Sequence, residues 1–374
     1  MLSLNEQISR FENVANNPKA QLDKAVSEGK KCVGVMPCFA PEELAYAVGL
    51  APFGLWGAQR QVTESRRYYP SFVCSILHTI LDLGITGAYN GLSAIMVPMI
   101  CDAMKGMNAN WTYGVPTIPV INVPIAQNRK IPAGIEFNKV KAEKILAELE
   151  EIANKKASVD DIKKAIAVYN DNRKACMEFI RLAGEHPEAV SCIQRSSVLK
   201  ARYFMDRAEH TAWLRELNAE LSFLAELSWS GKRIVTTGII ADIPEFLEIL
   251  DKNKMVIVAD QILHESIDNM YLVSETENPI EGLAIRLARI EGTSVLFDPV
   301  KQRSKELVKL AKDTNADGVL WVGTKFCDPE EFDLVPAKKV LKENDIPVLS
   351  IELDEQMEGF GQMKTAIETF IDMI

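Results

Sequence analysis

Cys327 stands at a point in the sequence where a thiol could do chemistry. An apolar run from Val319 to Val322 ends in Gly323, and Cys327 comes directly before Asp328 to Glu331 (DPEE). A capping aspartate, a proline for the first turn and two glutamates near the positive end of the dipole are typical of a helix start. The pattern predicts a strand, then a loop with the thiol, then a helix. Ligands of open α/β sheets bind beyond the carboxyl ends of strands, and a helix N-terminus favours thiolate over thiol.

Cys101 repeats this pattern in the first half of the chain. It follows the predicted strand Ala94 to Pro98 and precedes a helix predicted from Ala103, with Asp102 in the place that Asp328 has after Cys327. If two doubly wound domains face each other, the two Cys-Asp pairs come to one cleft.

Cys74 is the third candidate, because it is predicted in the first turn of a helix that begins at Pro70. All three positions are expected to lower the thiol pKa and to direct sulfur away from the core. Thiolates gathered in this way bind soft metals and iron-sulfur clusters. No C-x-x-C pair occurs, however, and buried free cysteine is also common as a small hydrophobic residue, so the residue types leave both interpretations open.

The other cysteines divide into one further candidate and three core residues. Cys38 also lies between a strand and a helix, where it is either a fourth ligand or a loop-packing residue. His78 lies one turn beyond Cys74 and either approaches the same site or is a hydrogen-bonded core histidine. The cysteines interpreted as core are Cys32, Cys176 and Cys192.

Composition excludes several classes of protein. Hydrophobic residues make up 47% and charged residues 25% of the 374 residues, as in globular proteins of more than one domain. A net charge of -10 with no basic cluster argues against nucleic acid. The start of the chain predicts no secretory signal, and no apolar stretch is long enough to span a membrane. An odd number of cysteines, seven, argues against a disulfide framework, so we expect a cytoplasmic protein.

Periodicity predicts an α/β protein with two doubly wound, mostly parallel-sheet domains joined by a helical segment. The predicted division is an N-terminal α/β domain at 1–136, a helical connector at 137–230 and a C-terminal α/β domain at 231–374. The predicted strands are 32–36, 52–57, 94–98 and 119–124 in the first domain, and 233–238, 255–259, 319–322 and 347–351 in the second. No glycine-rich phosphate loop and no G-x-S-x-G nucleophile motif occurs, so neither kind of site is supported.

Several segments together resemble the 2-hydroxyacyl-CoA dehydratase family, whose relatives include benzoyl-CoA reductase. The resemblance begins with Met36 to Leu44 (MPCFAPEEL) and Ala47 to Pro52 (AVGLAP). Cys74, Ile100 to Asp102, and Gly318 to Pro329 are similar to that family's cluster-binding positions. The resemblance covers essentially the whole chain, and the length is similar to that of the smaller β subunit.

The resemblance implies a 4Fe-4S cluster held by Cys74, Cys101 and Cys327. It also implies a heterodimer with a homologous α subunit, and a transient activator protein that hydrolyses ATP and delivers one electron at low potential. The implied substrate is a 2-hydroxyacyl-CoA, from which water is removed to give the 2-enoyl-CoA. Reduction of the thioester carbonyl to a ketyl radical anion lets hydroxide leave the α-carbon and acidifies the β-proton, and the electron is then returned.

In this family the substrate is expected at the cluster of the partner α subunit, so the cluster in this chain is expected to relay electrons. No catalytic acid or base is therefore named. Glu42 and Glu43 open a predicted helix, and we interpret them as partners of its dipole. Three alternatives remain: an aromatic acyl-CoA reductase subunit with the same cysteines, a two-lobed small-ligand binding protein, and a zinc-stabilised structural subunit.

Overall fold

The computed structural model describes residues 2–225 and 228–374. It contains two sheets of four strands each, and every strand pair is parallel. The strands of the first sheet are β1 (Cys32–Val35), β2 (Ala51–Gly54), β3 (Leu92–Pro98) and β4 (Val120–Val123); those of the second are β5 (Lys232–Gly238), β6 (Met255–Ile262), β7 (Gly318–Thr324) and β8 (Val348–Leu353). The predicted fold class is confirmed.

Both sheets have the same strand order. It is β2-β1-β3-β4 in the first and β6-β5-β7-β8 in the second. In each sheet the second strand is added on one side of the first strand, and the third and fourth strands are added on the other side. A topological switch point therefore lies between β1 and β3 in the first sheet and between β5 and β7 in the second. Crevices of this kind open at the carboxyl ends of the strands.

Helices connect the strands and cover both faces of each sheet. They are α1 (Leu4–Asn16), α2 (Pro18–Ser27), α3 (Glu42–Ala47), α4 (Ser75–Ile85), α5 (Asp102–Gly114), α6 (Pro132–Ala153), α7 (Val159–Glu185), α8 (Cys192–Ala201), α9 (Arg207–Ser222), α10 (Pro244–Lys252), α11 (Pro279–Arg289), α12 (Gln302–Asp313), α13 (Asp328–Lys342) and α14 (Gly361–Met373). Successive strand residues alternate between two separate hydrophobic clusters; Val33 and Val35 enter one, and Cys32 enters the other. Alternation of this kind, with apolar residues on both faces, is what a sheet covered by helices on each side requires.

The helical segment is packed into both halves of the molecule. Helix α7 packs against α3 in the first half and against β6 in the second. The approach to β6 is so close that a Cβ added at Gly184 would lie 3.0 Å from the backbone of Val258. The segment begins at Pro132 rather than at 137, because proline at the first turn starts α6 earlier than its periodicity indicates. The exact division into domains stays a prediction.

The carboxyl ends of the two sheets face each other. The indole N–H of Trp56, just beyond β2, donates to Asp242 Oδ2 at 2.8 Å, just beyond β5. The backbone N–H of Arg60 donates to the carbonyl of Glu355 at 2.9 Å. Beyond β4, Arg129 Nε donates to the carbonyl of Leu287 in α11 at 3.1 Å. The loops that follow the strands of one sheet therefore meet the loops of the other.

Candidate functional site

Each of the three predicted ligands occupies the N-cap position of a helix. Cys74 caps α4, Cys101 caps α5 and Cys327 caps α13. The thiol of Cys101 accepts a hydrogen bond from the backbone N–H of Met104 at 3.4 Å, as a serine or aspartate would at this position. The three sulfur atoms therefore stand at three positive helix ends, where negative charge is stabilised.

The helix that follows Cys74 begins later than predicted. It starts at Ser75 and not at Pro70, so Cys74 precedes the first turn. The prediction relied on the preference of proline for the first helical turn, but residues 70–73 form a turn of their own. The helix after Cys101, in contrast, begins at Asp102, one residue before the predicted start.

The switch points of the two sheets explain the placement of two of the cysteines. Cys101 follows β3, which is a switch-point strand of the first sheet, and Cys327 follows β7, its counterpart in the second. Cys38 follows β1, the other switch-point strand of the first sheet. The cleft between the sheets thus receives thiols from both sides.

The pKa values of several of these thiols depend on the charges of other thiols. Burial, with a smaller contribution from negative charge on Cys101, raises the pKa of Cys74 to about 12. Burial also raises the pKa of Cys327, as do the charges of Glu330, Cys74 and Cys101. The pKa of Cys38 is raised by burial and by Cys101. Cys38, Cys74 and Cys327 are thus all within range of the charge of Cys101.

The expectation of lowered thiol pKa values is wrong in this structure. Burial raises the pKa of Cys101 as well, although the backbone amides of Met104 and Ala103 oppose the change. Helix N-termini favour thiolate, but removal from water favours the neutral thiol more strongly. Buried thiols of this kind are deprotonated when a metal brings positive charge to them.

Two phenylalanines beside the cysteines have left-handed backbone conformations. Phe39 follows Cys38 with φ 56°, and Phe326 precedes Cys327 with φ 60°. Bulky residues rarely adopt this conformation, which turns the chain sharply. At Phe326 the turn brings Cys327 to the N-cap of α13 directly after the strand.

A cavity of about 430 Å³ opens beside the segments that lead to Cys74 and Cys327. Its lining includes Tyr69 and Pro70, which precede Cys74, and Lys325 and Phe326, which precede Cys327. It thus lies between cysteine-bearing segments of the two halves. Another cavity, of about 400 Å³, is lined by Cys32 and by Ala51 at the start of β2, so it lies at the opposite end of the first sheet.

The remaining cysteines and His78 are structural. Cys32, Cys176 and Cys192 are buried in hydrophobic clusters, as predicted. The two ring nitrogens of His78 lie 3.1 Å from Ser65 Oγ and 3.1 Å from the carbonyl oxygen of Pro70. The core interpretation of this histidine therefore holds.

Glu42 and Glu43 are buried ion-pair partners, which the sequence did not indicate. The carboxylate of Glu42 pairs with Arg207 and accepts a hydrogen bond from Tyr169 at 3.1 Å, while Glu43 pairs with Arg173. Both arginines belong to the helical segment, so these glutamates attach α3 to that segment. Their position at a helix start is only part of their role.

Asp354 and Glu355 are polar residues of the cleft that sequence reasoning missed. They follow β8 and contact the segments that carry Cys327 and Cys74 respectively. Glu355 is 7% exposed, and burial raises its pKa to about 8. The signal that could have found them is two carboxylates directly beyond the carboxyl end of a predicted strand.

The thiol arrangement has the chemistry that an iron-sulfur cluster needs. Three thiolates suit such clusters, and three helix N-termini stabilise the negative charge of a cluster with thiolate ligands. Within residues 2–225 and 228–374, no three His, Cys, Asp or Glu side chains are gathered closely enough to hold a single metal ion. The thiolates of an iron-sulfur cluster, by contrast, bind separate iron atoms around the cluster.

Fold and site define a two-lobed α/β protein with cysteines at helix N-termini in the cleft between its lobes. The family described as 2-hydroxyglutaryl-CoA dehydratase, D-component, matches residues 37–374. The chain belongs to this family, which confirms the resemblance seen in its sequence. In the part of the chain that the structure describes, no helix combines the length and apolar character needed to cross a membrane.

Several characterised relatives cover nearly the whole chain. It is 39% identical to the (R)-phenyllactyl-CoA dehydratase β subunit of Clostridium sporogenes, over 97% of each chain. It is 35% identical to the β subunit of the (R)-2-hydroxyglutaryl-CoA dehydratase of Acidaminococcus fermentans, over the full length of both. A subunit of the benzoyl-CoA reductase of Thauera aromatica is 22% identical, over 94% of this chain and 92% of the relative. The chain is thus an enzyme subunit of the hydro-lyase class, and the binding-protein alternative loses its support.

Proposed function

We propose that the chain is the β subunit of a radical (R)-2-hydroxyacyl-CoA dehydratase and holds a 4Fe-4S cluster on Cys74, Cys101 and Cys327. The observation that carries the proposal is that three thiols from two facing sheets stand at helix N-termini, and that the charges of Cys74 and Cys101 act on the pKa of Cys327. When bound, such a cluster supplies a one-electron relay. The residues of this chain hold it, stabilise its negative charge and exclude water from it.

The proposed complex contains three proteins. The homologous α subunit binds the acyl-CoA substrate, and an ATP-dependent activator delivers the electron. No catalytic acid or base is assigned to this chain, because the substrate is proposed to lie in the partner. The seven free cysteines support a cytoplasmic location, where thiols stay reduced.

The proposed substrate is (R)-2-hydroxyisocaproyl-CoA, which loses hydroxide from its α-carbon and a proton from its β-carbon. Support comes from the greater identity to the phenyllactyl-CoA enzyme, whose named substrate has a bulky apolar side chain, than to the hydroxyglutaryl-CoA enzyme. The substrate can be identified by incubating the reconstituted complex with four CoA thioesters and comparing their rates of conversion. The four acyl groups are 2-hydroxyisocaproate, phenyllactate, 2-hydroxyglutarate and benzoate. Fastest conversion of 2-hydroxyisocaproyl-CoA supports the assignment, whereas reduction of benzoyl-CoA would favour the aromatic acyl-CoA reductase alternative.

Anaerobic iron and sulfide analysis tests the cluster. Purified wild-type protein should be brown and contain about four iron and four sulfide per chain. Cys74→Ala, Cys101→Ala and Cys327→Ala should each lose most of this iron. Cys176→Ala is the matched control, because Cys176 is buried in α7, outside the cleft, and its iron content should equal that of wild type. Unchanged iron in Cys327→Ala would remove that residue from the ligand set, and a colourless wild type would remove the cluster.

A further inference from the structure

The dipeptide Asp354-Glu355 contacts both of the cysteine-bearing segments that lie on opposite sides of the cleft. It follows β8, the last strand of the second sheet. Asp354 contacts the loop that leads to Cys327, and Glu355 contacts the helix that Cys74 caps.

Glu355 contacts the start of α4 from the opposite lobe. Its backbone N–H donates to Ser75 Oγ at 3.1 Å, and its side chain is hydrogen bonded to Thr79 Oγ1. Ser75 is the residue after Cys74, and Thr79 lies one turn further along the same helix. Two bonds to one helix fix both the position of its first turn and its rotation.

The pocket around the Glu355 carboxyl group has no spare room. A Cβ added at Gly57 would lie 2.2 Å from Glu355 Oε2 and 2.5 Å from Thr79 Oγ1. The hydroxyl of Thr79 donates to Glu355 Oε2 and also lies 3.1 Å from the carbonyl oxygen of Ile76. Burial raises the pKa of Glu355 to about 8, although the hydrogen bond from Thr79 opposes the change.

Asp354 contacts the second cysteine-bearing segment. Its Oδ2 lies 3.2 Å from Nζ of Lys325, two residues before Cys327. The backbone N–H of Lys325 donates to the carbonyl of Leu353 at 2.9 Å, so the loop is attached to the end of β8 at two points.

Further hydrogen bonds attach the same stretch to the first lobe. The N–H of Arg60 donates to the carbonyl of Glu355 at 2.9 Å, and Gln61 Nε2 donates to the carbonyl of Gln356 at 2.7 Å. The stretch after β8 is therefore held from both lobes at the level of the thiols.

We propose that Asp354 and Glu355 are positioning residues that set the location of Cys74 relative to Cys327, and so prepare the thiol site for its cluster. The proposal rests on the proposed function, since it assumes that the two thiols bind one group. Residues that orient ligands in this way commonly change metal affinity by tenfold or more when they are replaced.

Two variants of Glu355 test the hydrogen bond itself. In Glu355→Ala, backbone amides of residues 75–79 should exchange with deuterium about tenfold faster in the cluster-free protein, and cluster affinity should fall about tenfold. The electron paramagnetic resonance spectrum of the reduced cluster should also broaden or shift. Glu355→Gln should restore all three properties, because its amide oxygen can accept the hydrogen bond from Thr79 as the carboxyl group does. Glu352→Ala, at an exposed position of β8, is the matched control.

Gly57→Ala provides an independent test, because its methyl group would displace the Glu355 carboxyl group without removing it. Gly57→Ala should also accelerate deuterium exchange of the backbone amides of residues 75–79. If Glu355→Ala does not fold, this second variant still tests the proposal. Wild-type exchange at 75–79 in both Glu355→Ala and Gly57→Ala would overturn the proposal, and so would a Glu355→Gln protein that behaves like Glu355→Ala. A wild type that binds no cluster would contradict the proposed function instead, while the exchange of residues 75–79 would still decide whether Glu355 holds α4.

Discussion

Trp56 and Asp242 connect the carboxyl ends of the two sheets through a hydrogen bond of 2.8 Å between Nε1 and Oδ2. Burial raises the pKa of Asp242, but Lys200, His264 and the hydrogen bond from Trp56 together outweigh this effect, and the pKa is lowered overall. Asp242 therefore acts as a buried carboxylate that accepts charge-assisted bonds across the cleft.

Replacing Trp56 with phenylalanine should lower the free energy of unfolding by about 2 kcal/mol, because a buried carboxylate loses a donor. Urea unfolding followed by circular dichroism measures this change. Trp229→Phe is the matched control, since Trp229 Nε1 has no hydrogen-bond partner among the described residues. A loss as large in Trp229→Phe would mean that ring size, and not the bond to Asp242, explains the effect.

Replacing Glu355 with glutamine, which does not titrate, should change how the free energy of unfolding depends on pH. The pKa of Glu355 is about 8 in the folded protein and 4.5 as its ordinary value, so the folded state holds the proton more tightly. Its contribution to stability is complete below about 4.5 and is lost as pH rises towards 8. Relative to Glu355→Gln, the wild-type free energy of unfolding should therefore fall by up to about 1.4 kcal/mol per pH unit in this window.

Urea unfolding of cluster-free wild type and Glu355→Gln at several pH values checks this expectation. Other titrating groups, including Glu265 with its raised pKa, are present in both proteins and cancel in the difference. Parallel stability curves for the two proteins would show that Glu355 has an ordinary pKa.

Breaking the buried pair of Arg173 and Glu43 should be strongly destabilising. Both side chains are almost fully buried, so Arg173→Met leaves a carboxylate without its main partner and should cost about 3–5 kcal/mol. The double variant Arg173→Met with Glu43→Gln should recover much of the loss, as measured by urea unfolding. The exposed pair of Lys309 and Asp313 serves for comparison, and Lys309→Met should cost less than about 1 kcal/mol.

The two left-handed phenylalanines should respond in opposite ways to replacement by glycine. Phe326 has φ 60° and is 42% exposed, so glycine relieves about 1 kcal/mol of backbone strain while losing little burial. Phe39 has φ 56° but is only 8% exposed, so its loss should cost about 3 kcal/mol or more. Thermal or urea unfolding distinguishes the two, and destabilisation of similar size would show that the Phe326 ring packs as the Phe39 ring does.

The sequence determined the order and kind of the elements around the site. Prolines, aspartates and glycines determine where a helix or strand begins or ends through contacts with residues next to them in the chain. The bounds of strands such as β7 and helices such as α13 could therefore be predicted within a few residues. The positions of Cys101 and Cys327 between strand and helix were predictable for the same reason. The helix after Cys74 was placed too early, because Pro70 belongs to a separate turn.

Only the tertiary structure decided how these thiols behave and what holds them. Burial, which raises their pKa, is a property of the folded chain and cannot be inferred from the helix that each thiol caps. The contacts of Glu43 with Arg173 and of Glu355 with Ser75 join residues 130 and 280 positions apart. Local sequence patterns cannot predict such pairs. The sequence around a charged residue at the end of a helix or strand is the same whether water or a distant segment covers that residue.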